Sequence, residues 1–585
     1  MLREIPEDAG LREQWDALVL RVEQPQVFYT YEWALAVSRA YSETLRPLLF
    51  LAYDASNSLC GVAALASNAA GRDASFLCAT TGDYCDFLSR PEERVLFVSA
   101  VLGQLRSQGI ERIALANLPA DSASVAAIRQ AARQHRFFCF ARKAYVCAQV
   151  SLARLERRKD GKPVAPGQKR LRRFVKAMAS EAPVRFDHSR SWDAVAPILP
   201  QFIQAHVARF LDIGRISNLA SKRRRLFLAE LARLLSETQW LILSRMVTRE
   251  RVAAWHYGFQ FHDTWFWYQP TLDSNVENYW PGFCLLTQAI QEATEIPELK
   301  TVDLGLGSEA YKAKFANESR ETLYVTMHDS LAEHVGTILR YRAAETVRTF
   351  PAVERLAGAL RKEIRALRQR VRAQGVRPVL VCAGRRLLQP LWRRDELFFF
   401  DWQNRGPAPA NSLNVQLRLL DIGILAVATM ECEDDESTLD YLLRSAKRLR
   451  TGGMEGFALT TDDGRPLHFV WVAPFDGFCS PDLNATLQAS PDCVMLFDCW
   501  TPAALRGRGY YAQSVELIAE KMRANGKQPW TFSAAANVAA IRGLAKTGFQ
   551  RRYSRVRKRL LWWQTVTRQS SGRGELSAEE VAVHL

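Results

Sequence analysis

No two of the eleven cysteines in this 585-residue sequence stand in a Cys-x-x-Cys spacing. That absence, with the odd count, excludes a disulfide framework and the thiolate-pair zinc sites of small stapled domains. Most of the cysteines sit in apolar strings, as Cys78 and Cys499 do, and read as small buried hydrophobes in a reducing compartment. The nine histidines show no ligand spacing, so no metal site is expected. Long apolar runs are missing too. The longest, 419–430, is too short to cross a bilayer and contains Asp421. Residues 1–10 are acidic and polar, without the apolar core of a signal peptide. The expectation is a cytoplasmic protein with no transmembrane segment, compatible with peripheral membrane association. There is no Walker-type phosphate loop, no GxSxG elbow and no helix-turn-helix pattern.

What is present is positive charge: 78 Lys and Arg against 62 Asp and Glu, a formal +16. Such a chain is drawn to anions, whether phosphorylated cofactors, nucleic acid, polysaccharide or lipid headgroups. The arginines cluster in helical connections, so solvated helix faces account for most of the excess. Nucleic acid is not expected as a partner on charge alone.

The most informative stretch is 494–522. Val494 to Phe497 reads as a buried strand. Arg506-Gly507-Arg508-Gly509-Tyr510-Tyr511 follows, and then a helical pattern with Val515, Ile518, Ala519 and Met522 on one face. A helix start carries unpaired N–H groups and the positive end of the macrodipole. Glycines let that backbone approach a phosphate, and Arg506 and Arg508 add charge. The site suits a pyrophosphate better than a single carboxylate. Downstream, Asn537 precedes a short helix that ends at Gly548-Phe549, where Gly548 is expected in the left-handed position after the helix.

Taken in order, strands alternate with helices in 1–150, including a hairpin across the polar turn Asp54 to Ser58. A basic segment, Lys169 to Arg173, opens the next unit, 151–330. There Leu285, Leu286, Ala289, Ile290 and Ala293 form one helical face, followed by a strand holding Asp303 and a glycine-rich turn before Tyr311-Lys312. Asp303 ends a strand, and Lys312 can bring a cation to substrate oxygens; both, with Tyr311, are substrate-site candidates. Residues 331–378 read as a basic helical linker, whose positions Val353 to Val371 keep helical spacing. Residues 379–565 form a further domain with a hairpin across Asp462-Asp463-Gly464. Residues 566–585 are expected to be a disordered tail.

The hexapeptide from Arg506 to Tyr511 resembles the Arg-x-x-Gly-x-Gly/Ala acyl-CoA loop of the GNAT acyltransferase superfamily. Tyr511 stands where the family has Gly or Ala. The Asn537–Phe549 segment resembles that family's passage from an Asn through a short helix to its last strands. A second resemblance covers about 20–330. Trp33, the Asp83-Tyr84-x-Asp86 segment, Lys169–Arg173, Pro281-Gly282, Asp303, Gly305, Gly307, Tyr311-Lys312 and Phe315 are similar to the CelD/BcsL-like acetyltransferases of cellulose and exopolysaccharide synthesis. That family in turn resembles the FemAB peptidyltransferases. The implied fold is α/β (α+β), three GNAT-like units: a tandem FemAB-like pair in 1–150 and 151–330, then a C-terminal GNAT N-acyltransferase domain. Each is a mixed β-sheet flanked by helices.

The resemblance implies acetyl-CoA or another acyl-CoA as co-substrate, its pyrophosphate on Arg506 to Tyr511 and Asn537 as a further contact. It implies direct attack of an amine or hydroxyl on the thioester. Asp498 is the candidate base. The position aligned with the family's acid Tyr holds Leu544, which leaves Tyr510, Tyr511, Tyr553 or a water open. The function expected is an N- or O-acetyltransferase acting on a small-molecule or saccharide acceptor, such as a polysaccharide precursor, sugar or amino metabolite. The alternatives are FemAB-like transfer from aminoacyl-tRNA, with Lys169–Arg173 touching RNA, and a non-catalytic scaffold or sensor.

Overall fold

A computed structural model describes residues 1–349 and 392–570, apart from 69–70, 180–182, 249–250, 275, 277–279, 308, 404–414, 481 and 561–562. The expected stripe Val353 to Val371 and the tail beyond 570 lie outside the described residues. The chain forms two compact units, Met1–Arg209 with Ser221–Thr346 and Phe210–Ala220 with Val347–Leu585.

In the first unit the strands are β1 (Arg46–Tyr53), β2 (Leu59–Ser67), β3 (Asp73–Phe76), β4 (Leu88–Ser89), β5 (Arg112–Pro119), β6 (Phe138–Ser151), β7 (Arg185–Ser189), β8 (Leu241–Thr248), β9 (Arg251–Phe261), β10 (Thr264–Leu272), β11 (Thr301–Leu306) and β12 (Glu318–His328). They make one twelve-stranded sheet, ordered β1-β2-β3-β5-β12-β6-β11-β10-β9-β8-β7, with β4 on β2. The two halves expected as separate units, 1–150 and 151–330, thus share a sheet, because they exchange last strands. β6 closes the first half yet pairs with β11, and β12 closes the second yet pairs with β5. The β1–β2 turn forms as the sequence implies: Asp54 Oδ1 accepts from the amides of Ser56 and Ser58 at 2.9 and 3.0 Å, and Asn57 takes φ 60°.

In the second unit the strands are β13 (Trp392–Trp402), β14 (Val415–Leu419), β15 (Glu455–Thr461), β16 (Pro466–Pro474), β17 (Phe478–Ser480), β18 (Ala485–Leu487), β19 (Cys493–Trp500), β20 (Gln528–Ala534), β21 (Phe549–Leu560) and β22 (Trp563–Ser570). The main sheet runs β14-β15-β16-β19-β20-β13-β21-β22. This repeats the second half of the first unit, β7-β8-β9-β10-β11-β6-β12-β5, strand for strand. β13 takes the place of the exchanged strand β6. Residues 566–570, assigned to the tail by their polarity, instead belong to β22, because its backbone bonds to β21 regardless of side-chain polarity.

Among the described residues three strand pairs are parallel: β3–β5, β10–β11 and β19–β20. Each pairs over three or four residues and then diverges. A parallel pair needs a crossover, and each crossover includes a helix: Arg94–Ser107, Pro281–Ala293 and Tyr510–Ala524. The predicted apolar faces of the last two, Leu285 to Ala293 and Val515 to Met522, are buried against the sheets. Each buried Leu or Ile contributes about 1.5–3 kcal/mol.

Candidate active site

Where β10 and β11 diverge, the two halves of the first unit meet in a buried polar cluster. Asp303 on β11 is 2% exposed. Its Oδ2 accepts from the Tyr84 hydroxyl at 2.7 Å and Gln149 Nε2 at 2.8 Å, and its Oδ1 from the Gly305 amide at 2.7 Å. Tyr84 comes from the loop after β3 and Gln149 from the exchanged strand β6. Lys312, also buried, donates to the carbonyls of Leu306 at 2.6 Å and Gly305 at 3.3 Å, and pairs with Glu309 at 2.9 Å. Tyr311 is half-buried against the core beneath helix Pro281–Ala293, and burial pushes its hydroxyl up.

Asp83 completes the cluster. Gly305 has φ +72°, and a Cβ there would lie 2.6 Å from Asp83 Oδ2. A side chain here would be strained by the left-handed backbone and would push this carboxyl aside. Burial, and secondarily the charge of Asp303, raises the Asp83 carboxyl to about 7, while Lys312, Arg224 and the Leu306 amide pull the other way. Asp83 keeps partial solvent access. A carboxyl raised to about 7 is suited to accept a proton near neutrality.

In the second unit, helix Tyr510–Ala524 starts after Gly507 and Gly509, with φ 80° and 85° and open space where side chains would stand. Arg506 and Arg508 are exposed beside it; Arg506 Nε donates to Thr501 O at 3.0 Å. A polyphosphate fits this start, which offers approachable backbone and two cations. Tyr511 points elsewhere. Its ring packs 5.8 Å from His468, and a Cβ on Gly543 would meet it at 2.7 Å. The bulkier residue therefore fills space between helices Tyr510–Ala524 and Val538–Leu544. Asn537 caps the latter helix, accepting from the Ala540 amide at 3.2 Å.

The candidate base Asp498 sits in a bulge of β19 with φ 48°. Its carboxylate accepts from Arg448 at 2.8 Å, so proton uptake there would compete with an ion pair. Tyr553 stacks on Phe399 at 4.8 Å in the core on the sheet face opposite helix Tyr510–Ala524. The structure thus separates it from Tyr510 and Tyr511. Gly548 is not left-handed. Close approach explains it instead: a Cβ would lie 2.7 Å from Gln403 O and from Trp402 Nε1. Gly548→Ala is expected to destabilise this unit by about 1–3 kcal/mol, read as a lowered transition in calorimetry.

Two features escaped the sequence reading. The first is Arg224, buried at the cluster's edge. The run Lys222-Arg223-Arg224 reads as solvated charge, yet Arg224 lies three, four and seven residues before the core residues Phe227, Leu228 and Leu231. Its place on the apolar stripe was the signal. The second is a pair of buried histidines. Against β9, the β10 register passes from Phe259↔Phe266 to Tyr257↔Gln269; against β16, β19 passes from Trp471↔Phe497 to Phe469↔Trp500. Both carry the same bulge, and His256 and His468 each lie three residues before the strand partner at its start. Burial depresses both imidazoles to about 3, so both are neutral. Only the register reveals their equivalence.

The fold and cluster define a tandem GNAT-like α/β protein. Residues 167–313 match the family model of the acetyltransferase (GNAT) domain. The matched segment holds Asp303, Gly305, Tyr311 and Lys312. Among solved structures it is similar to L-PGS from Bacillus licheniformis, at 11% identity over 53% of this chain and 95% of that one, TM-score 0.34. It is also similar to FemX, at 10% identity over 54% and 95%, TM-score 0.37. A tandem GNAT protein from the clavulanic acid biosynthesis pathway matches at 12% identity over 55% and 96%, TM-score 0.31. Against curated proteins the sequence has no match. Among the described residues no helix is long and apolar enough to cross a membrane, and no group of three or more side chains is placed to hold a metal ion.

Proposed function

We propose that the protein is an acyl-CoA-dependent N- or O-acyltransferase whose transfer site is the junction of the first unit's two halves. One observation carries this reading: Asp83, raised to about 7, is delivered by one half to Gly305, Asp303 and Lys312 of the other, within the segment that matches the acetyltransferase domain. Asp83 accepts the proton of the attacking amine or hydroxyl. Asp303 holds Tyr84, Gln149 and Gly305 in register so that Asp83 meets the strand end. Lys312 fixes the turn after β11 and places a cation beside it. Acyl-CoA supplies the thioester. The CelD/BcsL-like resemblance favours a saccharide or polysaccharide precursor as acceptor.

In the second unit, Arg506 to Tyr511 form an acyl-CoA phosphate site, supported by the open left-handed glycines and exposed arginines. Isothermal titration with acetyl-CoA tests it. The wild type is expected to bind, with Arg506→Ala and Gly509→Ala each weakening affinity about tenfold. No binding by the wild type overturns the acyl-CoA reading of this loop. Binding without turnover over an amine and sugar panel turns the reading towards a sensor.

A second reading is aminoacyl transfer from tRNA. It is favoured by Trp280, half exposed at the start of helix Pro281–Ala293, with Arg170 4.8 Å and Lys314 5.3 Å from its ring. A basic helix, Gln168–Ala179, adjoins it. Stacking aromatics with flanking cations suit single-stranded ends. RNA binding that falls steeply with salt would support this reading; binding independent of salt would remove it.

A further inference from the structure

The loop that delivers Asp83 is held by side chains at four successive carbonyls. Asn117 Nδ2 donates to Gly82 O at 2.9 Å and Ala79 O at 3.5 Å. Arg224 Nη1 donates to Thr80 O at 3.2 Å. The Tyr268 hydroxyl donates to Thr81 O, and Arg224 Nη2 donates to that same hydroxyl. Asn117 belongs to the first half. Arg224 and Tyr268 belong to the second, on helix Lys222–Glu237 and in the bulge of β10.

Arg224 is 6% exposed, and among the described residues no carboxylate forms an ion pair with it. Its guanidinium is held by the Thr80 carbonyl and by two phenols, Tyr268 and Tyr41, and stays charged without a paired carboxylate. Its field then acts on the nearest acid that the loop presents.

We propose that Arg224 is a positioning residue for acyl transfer. Locked by Tyr268 and Thr80, it grips the loop of the other half and holds Asp83 in place beside its own positive charge. This rests on the reading of Asp83 as the base. The groups acting on Asp83 are Asp303 from β11, Lys312 after it, Arg224, Tyr268 from β10, Cys85 from its own loop and Cys147 from β6. Arg224 and Lys312 favour the carboxylate, and Asp303 opposes it. The two cations enter from different elements, so removing one leaves the other in place.

The test does not depend on turnover. The melting temperature of the full chain is measured from pH 4 to 9 with Asp83 and with Asp83→Asn, and the difference between the two curves reports Asp83 ionisation. That difference changes steadily between the unfolded and folded pKa values and levels off at the folded one. This upper break, the midpoint of Asp83 ionisation in the folded protein, is expected near pH 7 in the wild type, about one unit higher in Arg224→Gln, and near the wild-type value in Arg224→Lys, which keeps the charge. Tyr268→Phe, a smaller perturbation should Arg224→Gln not fold, is expected to move the midpoint upward by less. A midpoint unmoved by both Arg224→Gln and Tyr268→Phe overturns the proposal, as does one moved equally by Arg224→Lys. Where acyl transfer is measured, its acidic limb should follow the same order. A midpoint that moves in a protein with no transferase activity keeps the latch and sinks the base assignment; transfer with an unmoved midpoint does the reverse.

Discussion

Asp83→Asn is expected to lower acyl transfer by about 10²–10⁴-fold, the usual contribution of a positioned general base, while the protein remains folded. The wild-type rate is expected to rise with pH through about 7 and level off above, because the ionised carboxylate is the active form. Stability should move the other way. The folded carboxyl titrates near 7 and an unfolded one near 4, so between these values the native state holds the extra proton. That contribution is complete below about pH 4 and is lost as pH rises through 7. Asp83→Asn should therefore gain stability relative to the wild type across this window. Steady-state assays and thermal melts on the same pair of proteins check both signs. An unchanged rate with the amide would remove Asp83 from the mechanism.

Asp303→Ala should be among the most destabilising substitutions in the first unit, by about 3–5 kcal/mol. It removes a carboxylate that accepts three hydrogen bonds, leaving the Tyr84 hydroxyl, the Gln149 amide and the Gly305 N–H without their acceptor. Unpaired buried donors each cost about 1–3 kcal/mol, and losing a charged acceptor costs more than losing a neutral one. Asp303→Asn is milder and more informative. It keeps the shape and removes the negative charge that opposes ionisation of Asp83, so the acidic limb of the rate profile should shift to lower pH. Chemical denaturation and a pH–rate series distinguish the two roles. An Asp303→Ala protein as stable as the wild type would mean that these three bonds do not hold the halves together.

The close of the cluster around Asp83 illustrates where sequence reading stops. Asp83, Tyr84 and Asp303 stand 219 residues apart for the bonded Tyr84–Asp303 pair, and no local pattern joins them. They meet because β6 and β12 change places, which is a property of strand pairing between halves. A chain's hydrophobic periodicity fixes which face of a strand is buried, not which strand lies next to it. Arg224 was hidden for a related reason. Its neighbours Lys222 and Arg223 are solvated, and in the sequence only its spacing from Phe227, Leu228 and Leu231 sets the third charge apart, while its partners Thr80 and Tyr268 come from distant segments.

What the sequence determined by itself is local. It specified the hairpins at Asp54–Ser58 and Asp462–Gly464, the buried faces of the helices at 281–293 and 510–524, and the glycine-rich start at Arg506 to Gly509. Turn chemistry and helical spacing act over a few residues and are written there. Tertiary structure decided that two halves share one sheet, that Gly548 serves close approach and not a left-handed cap, and that Tyr511 lies against His468 and Gly543. It also decided that Asp498 has an arginine partner while Asp83 is left to titrate near neutrality. Those outcomes depend on burial and on charges brought from distant segments, and both exist only once the chain has folded.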